Sequence, residues 1–495
     1  MNQQSRIGNL LNSKIYPLLL FLISFVFVAL FSRSTSFLYV FEGADPSIFK
    51  QMGRAILNGK VVYIDYFDNK GCLLYFIHAL GLWLGGDFAL MLMQVISLTV
   101  TLFIWNKMLA LNCAEKERVI GLCIALVLLV CFYGAGDQTQ EWCLPFISYP
   151  LLVYFRAYKS KTEIRPLQMV LIGLCFGIIT FIQVNNACAF LGFIVWLWIQ
   201  FLIKKDFRKL VTSIGCFMAG WLVVAVSCLL YFYAKAGWHG VYEMVYAQFL
   251  SNFEYIRVQH LPKWFHWLPY ILFLMTFTTL NIIILHKNKD ILIPTIISIM
   301  LFAATFGRLC NAFYLIAIIP LWIISWATMD KNNSKKSTML LGSMVIICSL
   351  FLGSIVFFHL MNDLILRREK EVTIYNDFHH IIEQIPTTER DSIFNYNLFW
   401  HGYGMMEHEE LIQCNRVSLA FDLPSLMKEE AGHSLPKPVW IMISPEFKYY
   451  KEDASFILDN YELSFVLNYD RLFFKNPWVG NLFHVYFYRR RDAAP

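Results

Sequence analysis

Apolar runs approaching the length of a membrane span recur through the first three-quarters of this chain, and no soluble fold has room for so many. A span needs about 20 predominantly apolar residues. Candidate runs fall near residues 15–31, 88–105, 119–133, 144–154, 167–183, 187–203, 210–233, 265–285, 291–306, 312–328 and 338–359. Of the 495 residues, 58% are hydrophobic and only 15% charged, with mean hydropathy +0.52. The expected class is a polytopic α-helical membrane protein with about eleven spans.

Basic residues orient those spans. Arg6 and Lys14 precede the first run, which predicts a cytoplasmic N-terminus. No small-residue cleavage site follows that run, so it reads as a retained span rather than a removed signal peptide. Residues 72–84 are apolar but too short to cross, and Gly85-Gly86-Asp87 closes them. They read as interfacial or re-entrant. With that piece left out of the count, the Lys107–Arg118 loop, the Arg156–Arg165 loop and the basic linkers at 204–209, 286–289 and 331–336 all fall on the cytoplasmic side. An odd number of spans then puts the C-terminus outside. From about Asp363 the composition becomes that of a soluble module. The expected division is a membrane domain over 1–362, with an outer loop at 32–87, and an extracytoplasmic α/β domain over 363–495. Strands are predicted at 392–396, 439–444, 464–469 and 483–488, with helices near 375–384 and 423–430.

The formal charge of +6 does not indicate a nucleic-acid partner, because no basic stripe alternates with stacking aromatics. Twelve cysteines lie scattered, mostly within apolar runs and without zinc spacing, as buried small hydrophobes do. There is no G-x-G-x-x-G after a strand and no P-loop, so no nucleotide-binding fold is expected.

The most polar stretch near the membrane is Glu42–Gly71, EGADPSIFKQMGRAILNGKVVYIDYFDNKG. Asp45-Pro46 is a helix-start signal, and Ile48, Met52, Ala55, Ile56 and Leu57 make a short amphipathic helix that Asn58-Gly59 ends. A polar-aromatic loop follows, with Tyr63, Asp65, Tyr66, Asp68, Asn69 and Lys70. Ionisable residues massed at a membrane face point to a functional site. Asp45 has two readings: a helix cap, or a general base acting on a hydroxyl. An N-cap bond favours the ionised form, so the roles are compatible. Glu141, in GAGDQTQEWCLP with Asp137 nearby, is either a second acid of the site or a carboxylate favoured by a helix dipole. Lys70, Arg308 and Arg54 are cations that could hold a phosphate and offset leaving-group charge; the alternative, strongest for Arg54, is snorkelling to the headgroups. Asp65 and Asp68 leave a divalent-metal site open beside simple loop bonding. In the tail, His401, His408, Glu407, Glu409 and Glu410 read as a solvated patch rather than a metal site.

Together these pieces resemble bacterial GT-C superfamily glycosyltransferases of the dolichyl-phosphate-mannose–protein mannosyltransferase and lipid A aminoarabinose transferase type, in particular a surface-glycan branch. The resemblance is carried by DPSIFKQMG at 45–53, NGKVVYIDYFDNKG at 58–71, LLYFIHALG at 73–81 and TQEWCLP at 139–145, and more weakly by Gly307-Arg308 with Phe313-Tyr314 and Pro320. It implies a polyprenyl-phosphate-linked sugar donor, a glycan, lipid or protein hydroxyl as acceptor, membrane lipids as surroundings, and inversion at the sugar. It further implies catalysis by Asp45 and Glu141, with Lys70 near the donor phosphate; Arg308, Asp68, Tyr63 and Arg54 are further candidates on the substrate side, no metal ligand is assigned, and a divalent metal stays open. Two departures stand out. Cys72 replaces the proline usual after Lys-Gly, which should loosen that turn. Phe313-Tyr314 replaces a His-Tyr pair, so no histidine role carries over. The competing classes are a transporter or flippase of lipid-linked glycans, which predicts charges in mid-membrane, and a glycan polymerase or ligase.

Overall fold

The computed structural model describes residues 15–32, 44–132, 136–251, 264–306, 312–329, 368–396, 399–412, 414, 438–445, 458–468, 475–476, 480–481 and 484–493. The expected span at 338–359, the helix near 423–430 and the domain boundary near 363 lie outside them. The helices of the apolar region are α1 (Tyr16–Phe31), α2 (Ala44–Leu57), α3 (Cys72–Ala110), α4 (Glu115–Phe132), α5 (Thr139–Ser160), α6 (Pro166–Gln183), α7 (Cys188–Ile203), α8 (Phe207–Val245), α9 (Trp264–Leu285), α10 (Lys289–Phe306) and α11 (Ile319–Thr328). Among the described residues, three stretches are long and apolar enough to cross a membrane: Cys72–Ala110, Pro166–Ile203 and Phe207–Leu250. Shorter apolar helices run Tyr16–Phe31, Tyr270–Leu285 and Phe313–Thr328. The protein is a helical membrane protein.

Two of the long helices are broken by glycine. Within α3, Gly85 and Gly86 leave helical geometry, Gly86 with φ 66°. Residues nine apart in a straight helix are about 13.5 Å apart, yet Gly81 lies in contact with Leu90, so the chain bends sharply back at this break. The segment before it is thirteen residues, about 20 Å, short of a bilayer's ~30 Å hydrocarbon core. Within α8, Ala236 and Gly237 break the helix in the same way, with Gly237 at φ 60°. A Cβ on Gly240 would then lie 2.7 Å from the Phe232 carbonyl oxygen. The segment beyond carries exposed Trp238 and Tyr242 and continues into a π turn at Tyr246–Leu250.

Small residues set the closest helix contact. Gly173 of α6 meets the backbone of Phe217 on α8, Gly220 of α8 meets the backbone of Val170 on α6, and Gly177 sits against Val224. Backbones approach this closely in membranes where small residues replace the side chains that would hold them apart.

α2 is amphipathic, but its buried face is Ile48, Phe49, Met52 and Ala55, while Leu57 lies exposed. It ends where Asn58-Gly59 predicts. Gly59 adopts φ 79°, its N–H donates to the Ile56 carbonyl and the Lys60 N–H donates to that of Ala55, a Schellman closure. The inner side of α2 packs on the first segment of α3, where a Cβ at Gly53 would lie 2.7 Å from the Ala79 amide.

The C-terminal region contains α12 (Arg368–Gln384), β1 (Ile393–Tyr396), α13 (Phe399–His408), β2 (Trp440–Ile443), β3 (Tyr461–Asn468), the short pair β4 (Lys475–Asn476) and β5 (Gly480–Asn481), and β6 (His484–Arg490). The main sheet has the order β1-β2-β6-β3, with β1 parallel to β2 and the other pairs antiparallel. The four strands overlap the four segments anticipated from sequence. Ile374, Phe378 and Ile382 of α12 pack with Met406, Met442 and Phe487 in a core separate from that of the helices.

Gly173→Leu should push α6 off α8. The expected cost is about 1–3 kcal/mol, as for other overpacked sites, read as a lowered thermal unfolding midpoint in detergent.

Candidate active site

The loop between α2 and α3 is built as a rigid cradle. Asp65 accepts the Val61 backbone N–H at 2.6 Å, which closes the start of the loop. Tyr63 sits in the left-handed region at φ 71°, an arrangement that costs on the order of 1–3 kcal/mol for a non-glycine residue. It is fully buried, its ring lies 6.0 Å from Tyr75 and 5.5 Å from Phe232, and its hydroxyl donates to the Lys70 carbonyl at 2.7 Å. Tyr63, expected on the substrate side, is a buried post beneath Lys70. The turn at Gly71-Cys72 is not loosened by the missing proline. Gly71 donates to the Ile182 carbonyl at 2.9 Å, its Cα lies against the Phe181 carbonyl, and the Cys72 thiol hydrogen-bonds Cys228 of α8.

At this cradle, three of the anticipated residues act on one another through charge. Asp45 lies in the first turn of α2, one residue inside the helix rather than at its cap. Lys70 and Asp68 are its charged neighbours. Burial pushes the Asp45 carboxyl above the ordinary range, Lys70 pulls it down, and Asp68 adds to the upward push. Asp68 is buried and accepts from the Tyr75 hydroxyl at 2.6 Å and from the Asn69 N–H at 2.8 Å. Lys70 donates to Asn69 Oδ1 at 2.9 Å. Chemically, this is a carboxylate of raised basicity beside an ammonium group.

Glu141 lies in the first turn of α5. Its Oε2 accepts the Asp137 N–H at 3.1 Å, and it lines a small cavity with Val28, Gln94, Leu98 and Trp142, in which Asp45 takes no part. A link between the two loops does exist, and the sequence did not disclose it. His78 of α3 and Asp137, both fully buried, pair through Nε2 and Oδ2 at 2.8 Å. Nδ1 of His78 donates to the Leu74 carbonyl at 2.8 Å, and Trp142 Nε1 donates to Asp137 Oδ1 at 2.6 Å. The His78 ring also meets Phe49, one turn beyond Asp45, at 5.5 Å. Asp137 stands at φ 56°, tolerable for aspartate. Thr139 and Gln140 bond to Gln183, which joins the second loop to the end of α6.

Arg54 does not join Asp45 and Lys70. Its Nη2 donates to Glu407 Oε1 at 2.7 Å, with Glu410 at 3.7 Å from Nη1. Glu407 is therefore not part of a solvated patch: it is buried against α2, while His408 packs on Tyr375. Lys50, also buried, pairs with Asp87 at 2.8 Å. Arg308 lies outside the described residues. Among the described residues, no group of three or more His, Cys, Asp or Glu side chains is placed to hold a metal ion.

Two solved structures share this architecture. ArnT from Cupriavidus metallidurans, bound to undecaprenyl phosphate, superposes with TM-score 0.56 over 98% of this chain and 100% of its own, at 12% identity. The archaeal oligosaccharyltransferase AglB from Archaeoglobus fulgidus, in complex with an inhibitory peptide and a dolichol-phosphate, gives 0.51 over 92% of this chain and 74% of its own, at 10% identity. Both are GT-C superfamily membrane glycosyltransferases. The fold is a GT-C fold. No protein-family model and no curated protein matches the sequence itself. The His78–Asp137 pair fastens the segment that follows the Asp45 loop to the loop that precedes Glu141.

Asp137→Ala would strip His78 Nε2 and Trp142 Nε1 of their shared acceptor. Each orphaned buried donor costs about 1–3 kcal/mol, so a lowered unfolding midpoint and altered Trp142 fluorescence are expected. Asp137→Asn, which keeps one acceptor, should lose less.

Proposed function

We propose that this chain is an integral membrane glycosyltransferase that moves a sugar from a polyprenyl-phosphate donor to a hydroxyl of a glycan, lipid or protein acceptor at the outer face of the cell membrane. The observation that carries the reading is the desolvated Asp45 beside Lys70 within a GT-C fold. That relatives of this fold were solved with undecaprenyl phosphate and with dolichol-phosphate supports a lipid-phosphate donor here. The contact of α13 with α2 through Arg54 and Glu407 supports a C-terminal domain on the same side of the membrane as the Asp45 loop. With a cytoplasmic N-terminus, that side is extracytoplasmic.

In this reading, Asp45 takes the proton of the acceptor hydroxyl. The freed oxygen bonds to the anomeric carbon as that carbon's bond to the phosphate oxygen breaks, and the lipid phosphate leaves with the bonding electrons. Attack from the face opposite the phosphate inverts the sugar. Lys70, with Arg308 as a second cation, offsets the charge that develops on the leaving phosphate. Asp68 raises the basicity of Asp45, and Glu141 serves as the second-loop acid on the acceptor side. A donor already anchored in the bilayer and already activated removes the need for a nucleotide site.

In a host lacking the gene, Asp45→Asn should leave one polyprenyl-phosphate sugar accumulated, as in the empty host, with turnover lowered about 10²–10⁴-fold. Mass spectrometry of the lipid pool reads this and names the donor. Wild-type turnover in Asp45→Asn would reduce Asp45 to a helix residue. The raised carboxyl also fixes a pH dependence. Asp45 works ionised, so activity should fall as pH drops through a value above that of an ordinary aspartate. Asp68→Asn removes an anion that disfavours ionisation, so the acid limb of the profile should move to lower pH.

A further inference from the structure

We infer that Glu407 of the C-terminal domain is a positioning residue for the reaction, acting through Arg54 to hold α2 and hence Asp45. This rests on the reading of Asp45 as the base. Helix α2 has fourteen residues, with Asp45 in its first turn and Arg54 in its last. Nine residues separate them, about 13.5 Å along the axis. The helix lies between two supports. On one side Gly53 meets the backbone of His78 and Ala79 on α3, and on the other α13 packs along it. Among the described residues, charge pairs hold α2 at its middle and at its last turn: Lys50 to Asp87, and Arg54 to Glu407 and Glu410. Asp45 and Arg54 thus stand at opposite ends of one rigid helix, so the hold on Arg54 helps set the direction in which Asp45 is presented. A tilt of about 4° over ~13.5 Å displaces Asp45 by ~1 Å, and an error of ~1 Å costs about 10²-fold in rate.

The Arg54–Glu407 pair suits alignment more than stability. Glu407 is 4% exposed and Arg54 19%. Glu407 Oε2 and Arg54 Nε, both buried, find no hydrogen-bond partner among the described residues. A buried pair with unsatisfied atoms recovers little of its desolvation cost, but its fork fixes direction. Burial raises the Glu407 carboxyl above its ordinary range, and Arg54 opposes that rise.

The test uses the full-length protein in detergent and, as donor, the lipid-linked sugar purified from the host lacking the gene. Glu407→Gln should lower kcat by about 10–100-fold, leave the donor KM within about twofold, and displace the acid limb that Asp45 governs, because a tilted α2 changes the distance from Asp45 to Lys70. Glu407→Asp, which keeps the charge on a shorter arm, should fall between the two, and it serves as the reporter where Glu407→Gln does not fold. Wild-type kcat and pH profile in both variants would overturn the inference and leave the reading of Asp45 intact. So would a loss of activity that only follows a lowered unfolding midpoint and leaves kcat per folded molecule and the acid limb unchanged. Full activity in Asp45→Asn, or no accumulating lipid, would overturn the reading of the site and this inference with it.

Discussion

A carboxylate withdrawn from water, with one cation and one anion beside it, places demands on everything around it. Asp45 gains basicity from burial and from Asp68, and Lys70 keeps its ionised form accessible. Neither effect survives much movement, because charge interactions at low dielectric change steeply with distance. The fold answers with redundancy. The Lys70 loop is tied by Asp65 to Val61, by Tyr63 to its own far end, by Gly71 to α6 and by Cys72 to α8. A residue as unsuited to the left-handed region as Tyr63 is tolerated because packing on both sides of its ring over-determines it.

What the sequence disclosed was local. Asn58-Gly59 ends α2 where turn chemistry says it should, Gly85-Gly86 interrupts the third helix, and short apolar and aromatic runs mark the strands. The GT-C fold was legible from short motifs, although identity to the solved relatives is only 12% and 10%. Within the site, the proximity of Asp45, Asp68 and Lys70 could be anticipated because all three lie within one loop and its flanking helix.

Contacts made across large separations were not legible. His78 reads as one polar residue on an apolar segment, and nothing local announces that Asp137, 59 residues later, completes it. Glu407 sits in a run of acids and histidines that looks solvated, because the surface that buries it belongs to α2. Tyr63 likewise meets rings that lie far from it in sequence or on another element, Tyr75 of α3 and Phe232 of α8. Periodicity reports which face of an element is apolar; it does not report what that face meets.

The separation of Arg54 and Glu407, 353 residues, also has a meaning in time. At synthesis rates of about 5–20 residues per second, α2 waits roughly 20–70 s for its partner to be made. During that interval the Lys70 loop, α3 and α5 can already assemble, so the acid and the cation exist before the contact that aligns them. A chain stalled before its last quarter would hold Arg54 without its partner Glu407.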